Sequence, residues 1–221
     1  MNRLHELFEG HATVLAPALL GCELTVTTAR GAVTVRLTEV EAYGDQGEDP
    51  GAHSYNGRTA RNSSLFGPQR HTYVYLNYGI HRCLNLACGP EGTAGGVLLR
   101  AGEVLEGREL AVERRGGRDT GAKLLSGPGR LGQGLGIELS MDAWPVHLES
   151  SPSSEAGSAP NTEISFSLAP PAGWASGALL RSGPRVGVSG VGGSARFLWR
   201  YWIDGDRSVS AYRPGRNVPE L

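Results

Sequence analysis

Lysine is almost missing from this sequence: Lys123 stands alone, and the other 20 of the 21 basic side chains are arginine. A guanidinium stays protonated and forms no Schiff base, so covalent imine chemistry has one candidate side chain. Cysteine is scarce and odd in number, at Cys22, Cys83 and Cys88, which excludes a disulfide framework and fits thiols kept reduced in a cytoplasm. A zinc site from His81, Cys83 and Cys88 lacks a fourth ligand at usable spacing, and no C-x-x-C occurs, so no metal is expected. No run approaches the roughly 18 apolar residues of a membrane span. Leu19-Leu20-Gly21-Cys22 has the form of a lipoprotein processing box. Glu6, Glu9 and two histidines nevertheless occupy what would have to be a basic, acid-free leader, and Pro17 splits the apolar stretch. Net charge is lacking too, at -1 with an isoelectric point near 6.6.

That average hides segregation. Residues 51–102 carry five arginines against Glu91 alone, and residues 178–216 carry seven against Asp204 and Asp206. Two basic regions of this kind suit a polyanionic partner. With 221 residues, 39% of them apolar, the chain can bury one sizeable core, and a single domain over residues 1–221 is expected.

Val14, Ala18 and Leu19 share helical spacing and lead into a strand at 23–28. Arg30-Gly31 makes a turn, and Val33, Val35 and Leu37 alternate with polar neighbours in a strand running towards Ala42. Residues 44–70 are rich in Gly, Asp, Asn, Ser and Arg with little apolar periodicity, which predicts a long irregular segment, either functional or disordered. Strands are predicted at 71–75, 83–87, 96–101, 164–168, 185–188 and 197–203, and a helix at 104–115. Ser126-Gly127-Pro128 has the form of a helix start capped by Ser126. Residues 150–162 offer almost nothing to bury and read as a mobile surface loop. No repeat and no regular strand-helix alternation is present, so the fold class is mixed α/β (α+β) rather than doubly wound.

Three constellations could carry chemistry. In Thr38-Glu39-Val40-Glu41-Ala42-Tyr43, two carboxylates two residues apart share a strand face with an aromatic ring. A solvated strand end is the plain alternative, and the pair is too close to flank a sugar as a glycosidase acid and base. Tyr73 and Tyr75 share a strand face, while Tyr78 stands at an Asn-Tyr-Gly turn with Arg82 beyond it and Arg58 and Arg61 upstream. A ring on a turn beside arginines suits a wedge between bases. Arg100 interrupts the apolar strand at 96–101, where a buried charge would need Glu41 or a phosphate as partner. Two glycine-rich matches, 127–132 and 190–195, lack the strand-to-helix context of a dinucleotide fingerprint.

Read in order, TEVEAY, GAHS, RTARN, TYVYLNYGIHRCLN, GGVLLRAGE and SGPGRL resemble the alkyladenine (3-methyladenine) DNA glycosylase family, from about Leu15 to Ala211. The resemblance implies a single domain with a curved antiparallel sheet flanked by helices, acting as a cytoplasmic monomer without metal or cofactor on double-stranded DNA containing a damaged purine. It implies that Glu41 activates water and Arg100 helps to hold it. Tyr43 would stack on one side of the extruded base, with His53 and Tyr75 on the other. Asn85 would obstruct guanine, Tyr78 would fill the hole in the duplex, and Arg58, Arg61, Arg82 and Arg130 would grip the backbone. The implied activity is release of 3-methyladenine, ethenoadenine or hypoxanthine to leave an abasic site. A protonated His53 is the one candidate donor to a neutral leaving base. Two other classes stay open on the residues: a non-catalytic module that binds distorted duplexes, and a hydrolase of free nucleosides.

Overall fold

The computed structural model describes residues 3–151, 164–171 and 179–220, so most of the loop expected at 150–162 lies outside the described residues. Among the described residues, nine strands form one curled sheet: β1 (Glu23–Thr28), β2 (Gly31–Tyr43), β3 (Thr72–Asn77), β4 (His81–Ala87), β5 (Gly96–Glu106), β6 (Val146–Leu148), β7 (Ser165–Ala169), β8 (Leu180–Gly183) and β9 (Arg200–Ile203). The order is β3-β4-β5-β2-β1-β7-β6, with β9 joining β2 and β8 joining β9. Pairing is antiparallel, as expected, with one parallel pair added between β6 and β7. Helices α1 (Arg3–Phe8), α2 (Ala12–Leu19), α3 (Arg108–Arg114) and α4 (Pro128–Leu135) flank it.

The 13-residue β2 organises the rest. β5 runs along one of its edges; on the other, β1 pairs with its first half and β9 with residues 39–41. Val33, Val35 and Leu37 point into the core, and after them so do Val40 and Ala42. The inward set therefore changes from odd to even numbers, because the β2–β5 register shifts on either side of Glu39. An extra residue in one strand turns the following side chains to the other face. Glu39, Glu41 and Tyr43 thus leave the main core and look out from the opposite face. On β5, Val97, Leu99 and Ala101 are fully buried, while Arg100 is the residue skipped between Glu39↔Ala101 and Val40↔Leu99. The bulge re-aims its side chain towards the same face as the glutamates.

Several local expectations are corrected. Helix α2 buries Ala12, Leu15, Ala16 and Leu19, and leaves Val14 53% exposed, so the inward stripe is shifted from the one expected. The three cysteines need no correction: all are buried free thiols, Cys22 donating to the Ala18 carbonyl at 3.4 Å. The first part of the expected 104–115 helix is the end of β5, because Glu103, Val104 and Glu106 pair with β2. Gly107 ends that strand at φ 71°, and α3 begins only at Arg108. Ser126 bridges to Ala101 instead of capping α4, whose cap is Gly127 with Pro128 as the first helical residue. Residues 185–188 are loop, and the neighbouring strand is β8 at Leu180–Gly183.

Gly107 combines a left-handed backbone with a close approach: a Cβ there would lie 2.2 Å from the Ala32 carbonyl oxygen. Gly107→Ala should therefore destabilise the fold by at least about 2 kcal/mol, read as a lowered denaturation midpoint at unchanged slope.

Candidate active site

The outward face of β2–β5 carries a buried charge cluster. Glu39 and Glu41 are both fully buried, contrary to a solvated strand end. Arg100 spans them: its Nε donates to Glu39 at 2.9 Å and its Nη1 to Glu41 at 3.1 Å. Glu39 also accepts from the Arg200 Nε at 2.8 Å and from the Ser210 amide and hydroxyl at 2.7 and 2.8 Å. Burial alone would raise the Glu39 carboxyl, but Arg100, Arg200 and Ser210 outweigh it and hold it below its ordinary value. The same two carboxylates hold the Arg100 guanidinium protonated against the cost of its burial.

Glu41 faces three donors. The Tyr43 hydroxyl reaches one oxygen at 2.9 Å, beside Arg100, and the Val186 amide reaches the other at 2.6 Å. Both oxygens act as acceptors, as an ionised carboxylate does. The Tyr43 ring is gripped from the side by Arg185, whose guanidinium packs on it at 4.5 Å. Arg185 is fully buried, paired with Asp49, bonded to the carbonyls of Ala42 and Gly192, and ringed by Phe197 and Trp199. Asp49 in turn accepts from the amides of Gly44 and Gly51, which fastens the start of the 44–70 segment to the sheet.

A cavity of about 620 Å³ opens beside these groups. Its walls bring together Glu41, Tyr43, His53, Tyr75, Asn85 and Arg100, six residues singled out from the sequence, and Tyr78 stands at its mouth. His53 is delivered by the irregular segment, which Asn62 pins through bonds to the carbonyls of His53 and Gly57 at 2.8 and 3.0 Å. The His53 ring shares a 2.8 Å hydrogen bond with the Tyr73 hydroxyl and meets Tyr75 edge-on at 4.6 Å. Desolvation, with Arg61 nearby, holds its imidazole below the ordinary value, so near pH 7 it is neutral. The protonated His53 weighed as a proton donor is therefore disfavoured. The Asn85 amide donates to the Tyr73 carbonyl at 3.0 Å.

Tyr78 tips the β3–β4 hairpin in a left-handed conformation (φ 51°), 84% exposed, with Ile80 also exposed beside it. Of the arginines expected at a backbone interface, Arg58 and Arg130 are exposed on the irregular segment and on α4. Arg61 leans over the Tyr75 ring at 6.0 Å and donates to the Leu76 carbonyl. Arg82 is held by Glu138 at 3.1 Å. Lys123 does not line the cavity and donates to the Val209 carbonyl at 2.7 Å. Among the described residues, no three His, Cys, Asp or Glu side chains are placed to share a metal ion. No helix among them is long and apolar enough to cross a membrane.

Sequence reading missed Glu39 as an arginine ligand, and Asp49, Arg185, Val186, Arg200 and Ser210 altogether. Their partners lie far apart in the chain, and the one local hint was a pair of glutamates at strand spacing with a single cation opposite.

A sequence model of the family described as methylpurine-DNA glycosylase matches residues 6–207. A relative from Streptomyces avermitilis, carrying the provisional name 3-methyladenine DNA glycosylase, is 46% identical over 208 residues, covering 94% of this chain and 90% of its own. Relatives with the same provisional name from Corynebacterium glutamicum (45% identical; 91% of this chain, 84% of its own) and Leifsonia xyli (40%; 94% and 91%) are similar throughout.

Two outcomes follow from the buried charges. Asp49→Ala leaves Arg185 without its carboxylate and should cost about 3–5 kcal/mol, measured by chemical denaturation. Glu39, held below its unfolded value of about 4.3, releases its proton more readily folded than unfolded. It therefore stabilises the fold above that pH and loses the contribution as pH falls through its folded value. Glu39→Gln should flatten the acid limb of stability against pH.

Proposed function

The chain belongs to the methylpurine-DNA glycosylase family, a family of N-glycosyl hydrolases in base excision repair, and on that premise we propose that it extrudes a damaged purine from duplex DNA and releases it by a Glu41-activated water. The observation that carries this reading is Glu41 itself: a buried carboxylate facing three donors, on the wall of a cavity large enough for a purine nucleoside, next to an arginine that cannot leave.

Extrusion costs a few kcal/mol and costs least at damaged or mismatched bases. The exposed Tyr78 ring would fill the gap in the stack, while the base enters between Tyr43 and the His53–Tyr75 wall. In the cavity the Glu41 carboxylate takes a proton from water, and the water oxygen forms a bond to the anomeric carbon. The bond from that carbon to the purine nitrogen breaks with its electron pair leaving on the base. Positive charge develops on the sugar during this step, and the Glu41 carboxylate stabilises it. Arg100, fixed by Glu39, orients Glu41 and the water. A cationic alkylpurine leaves as a neutral base and needs no proton from the protein. The neutral His53 offers none to hypoxanthine, so cationic lesions such as 3-methyladenine suit this site best. With Lys123 outside the cavity, no imine forms and the reaction stops at the abasic site.

The test is base release from duplexes carrying one 3-methyladenine, ethenoadenine or hypoxanthine. Glu41→Gln should lower the single-turnover rate by about 10²–10⁴-fold while duplex affinity is retained. Tight binding of damaged duplex without release from any lesion would identify a non-catalytic module. Hydrolysis of free nucleosides in preference to duplex would identify the third class.

A further inference from the structure

Past residue 207, where the family match ends, the chain turns back across the site. Ser210 bonds to Glu39 through its amide and hydroxyl, and its carbonyl accepts from the Arg200 Nη2 at 2.7 Å. Further on, the carbonyls of Arg213 and Arg216 accept from the amides of Gly187 and Gly190, both at 2.9 Å. Val218 closes against Gly193, where a Cβ would lie 3.2 Å from its side chain. The segment is thus pinned to Glu39 and Arg200 at its start and to the loop that supplies Val186 further on, and it carries Arg213 to the wall of the cavity. The Arg213 side chain is exposed and makes no ion pair with any described residue.

We propose that Arg213 is a phosphodiester-binding residue of the cavity mouth, which grips the backbone of the extruded nucleotide and holds it open towards Glu41. This rests on the reading of the site as a base-extruding glycosylase. A nucleotide that enters base first leaves its two flanking phosphates at the rim, so a cation there meets phosphate and not base. Tyr78 lines the same cavity from the β3–β4 hairpin, so wedge and cation serve one opening. A pinned backbone also limits the entropy lost when the guanidinium takes up a phosphate. Arg213 joins the site from a stretch that carries no motif of its own.

The experiment measures affinity, against salt concentration, for a duplex bearing a tetrahydrofuran abasic analogue, which has no base to release, together with release of ethenoadenine. Arg213→Ala should weaken binding about tenfold and reduce the slope of log affinity against log salt by about one. Arg213→Lys should restore the slope. Arg207→Ala, an exposed arginine beside a second cavity near Gly102 and Glu103, should change neither. If wild type releases the base but Arg213→Ala keeps its slope and affinity, or Arg207→Ala loses as much, the assignment of Arg213 is wrong and the glycosylase reading stands. If wild type releases no base from any duplex, that reading fails and the assignment falls with it.

Discussion

Two carboxylates buried in a sheet require cations, and this constraint shapes the site. Glu39 and Glu41 are both fully buried, and Arg100 and Arg200 match them charge for charge. Burying such groups costs several kcal/mol per ion before their attraction is counted, so a cluster of this kind adds little net stability over a well-packed apolar patch. Its presence is better explained by what a fixed carboxylate can do. The arrangement needs Arg100 thrown out of register on β5, the β2 face reversed near Glu39, and Ser210 brought back from the end of the chain. Each has an energetic cost of its own, and all of them converge on one oxygen pair.

The two faces of the sheet divide the labour. One packs α1, α2 and α4 around Leu15, Leu37, Leu86 and Leu131, and has the uniform apolar character of a core. The other carries Tyr73, Tyr75, Asn85, Leu98 and the charge cluster, and would be open to water without the 44–70 segment. That segment contains one short turn of 3-10 helix and is irregular elsewhere, yet it is not loose. Asp49 ties one part of it to Arg185 and Asn62 gathers another around His53. A wall built from buried polar anchors can follow the outline of a ligand as a helix or strand could not.

This division also decides what could be read from the sequence. Alternation on β1 and β2, the buried strands β4 and β5, and the hairpin bearing Tyr78 were legible because their apolar period is local. Glu41, Tyr43, His53, Tyr75, Tyr78, Asn85 and Arg100 on the cavity wall were legible because they stand in recognisable blocks, whereas Val186 and Arg213 on the same wall were not. The shift from Val33, Val35, Leu37 to Val40, Ala42 was not read from the sequence, because it comes from the register irregularity around Glu39, which turns Glu39 and Glu41 to the other face. The 104–115 stretch was misread as a single helix because Val104 and Glu106 pair with β2, and tertiary pairing overrides local propensity. Arg185, Arg200 and Ser210 were not legible at all, since their partners stand 136 to 171 residues away.

Buried arginines change the meaning of the charge count. Of the basic residues that made two regions look like polyanion surfaces, Arg100, Arg185 and Arg200 are internal and already matched by Glu39, Glu41 and Asp49. What remains at the surface is a smaller set, with Arg58, Arg130, Arg196, Arg207, Arg213 and Arg216 exposed and Arg61 leaning over the cavity wall. A net charge of -1 does not oppose contacts with phosphate, because salt screens exposed charges beyond a Debye length of about 8 Å. In and around α3, Glu113, Glu103 and Asp119 pair with Arg30, Arg36 and Arg108. On the proposed reading, these exposed arginines rather than the net charge would supply the contacts with phosphate. Selectivity, on that same proposal, would rest on what the cavity accepts once Tyr78 has opened the stack.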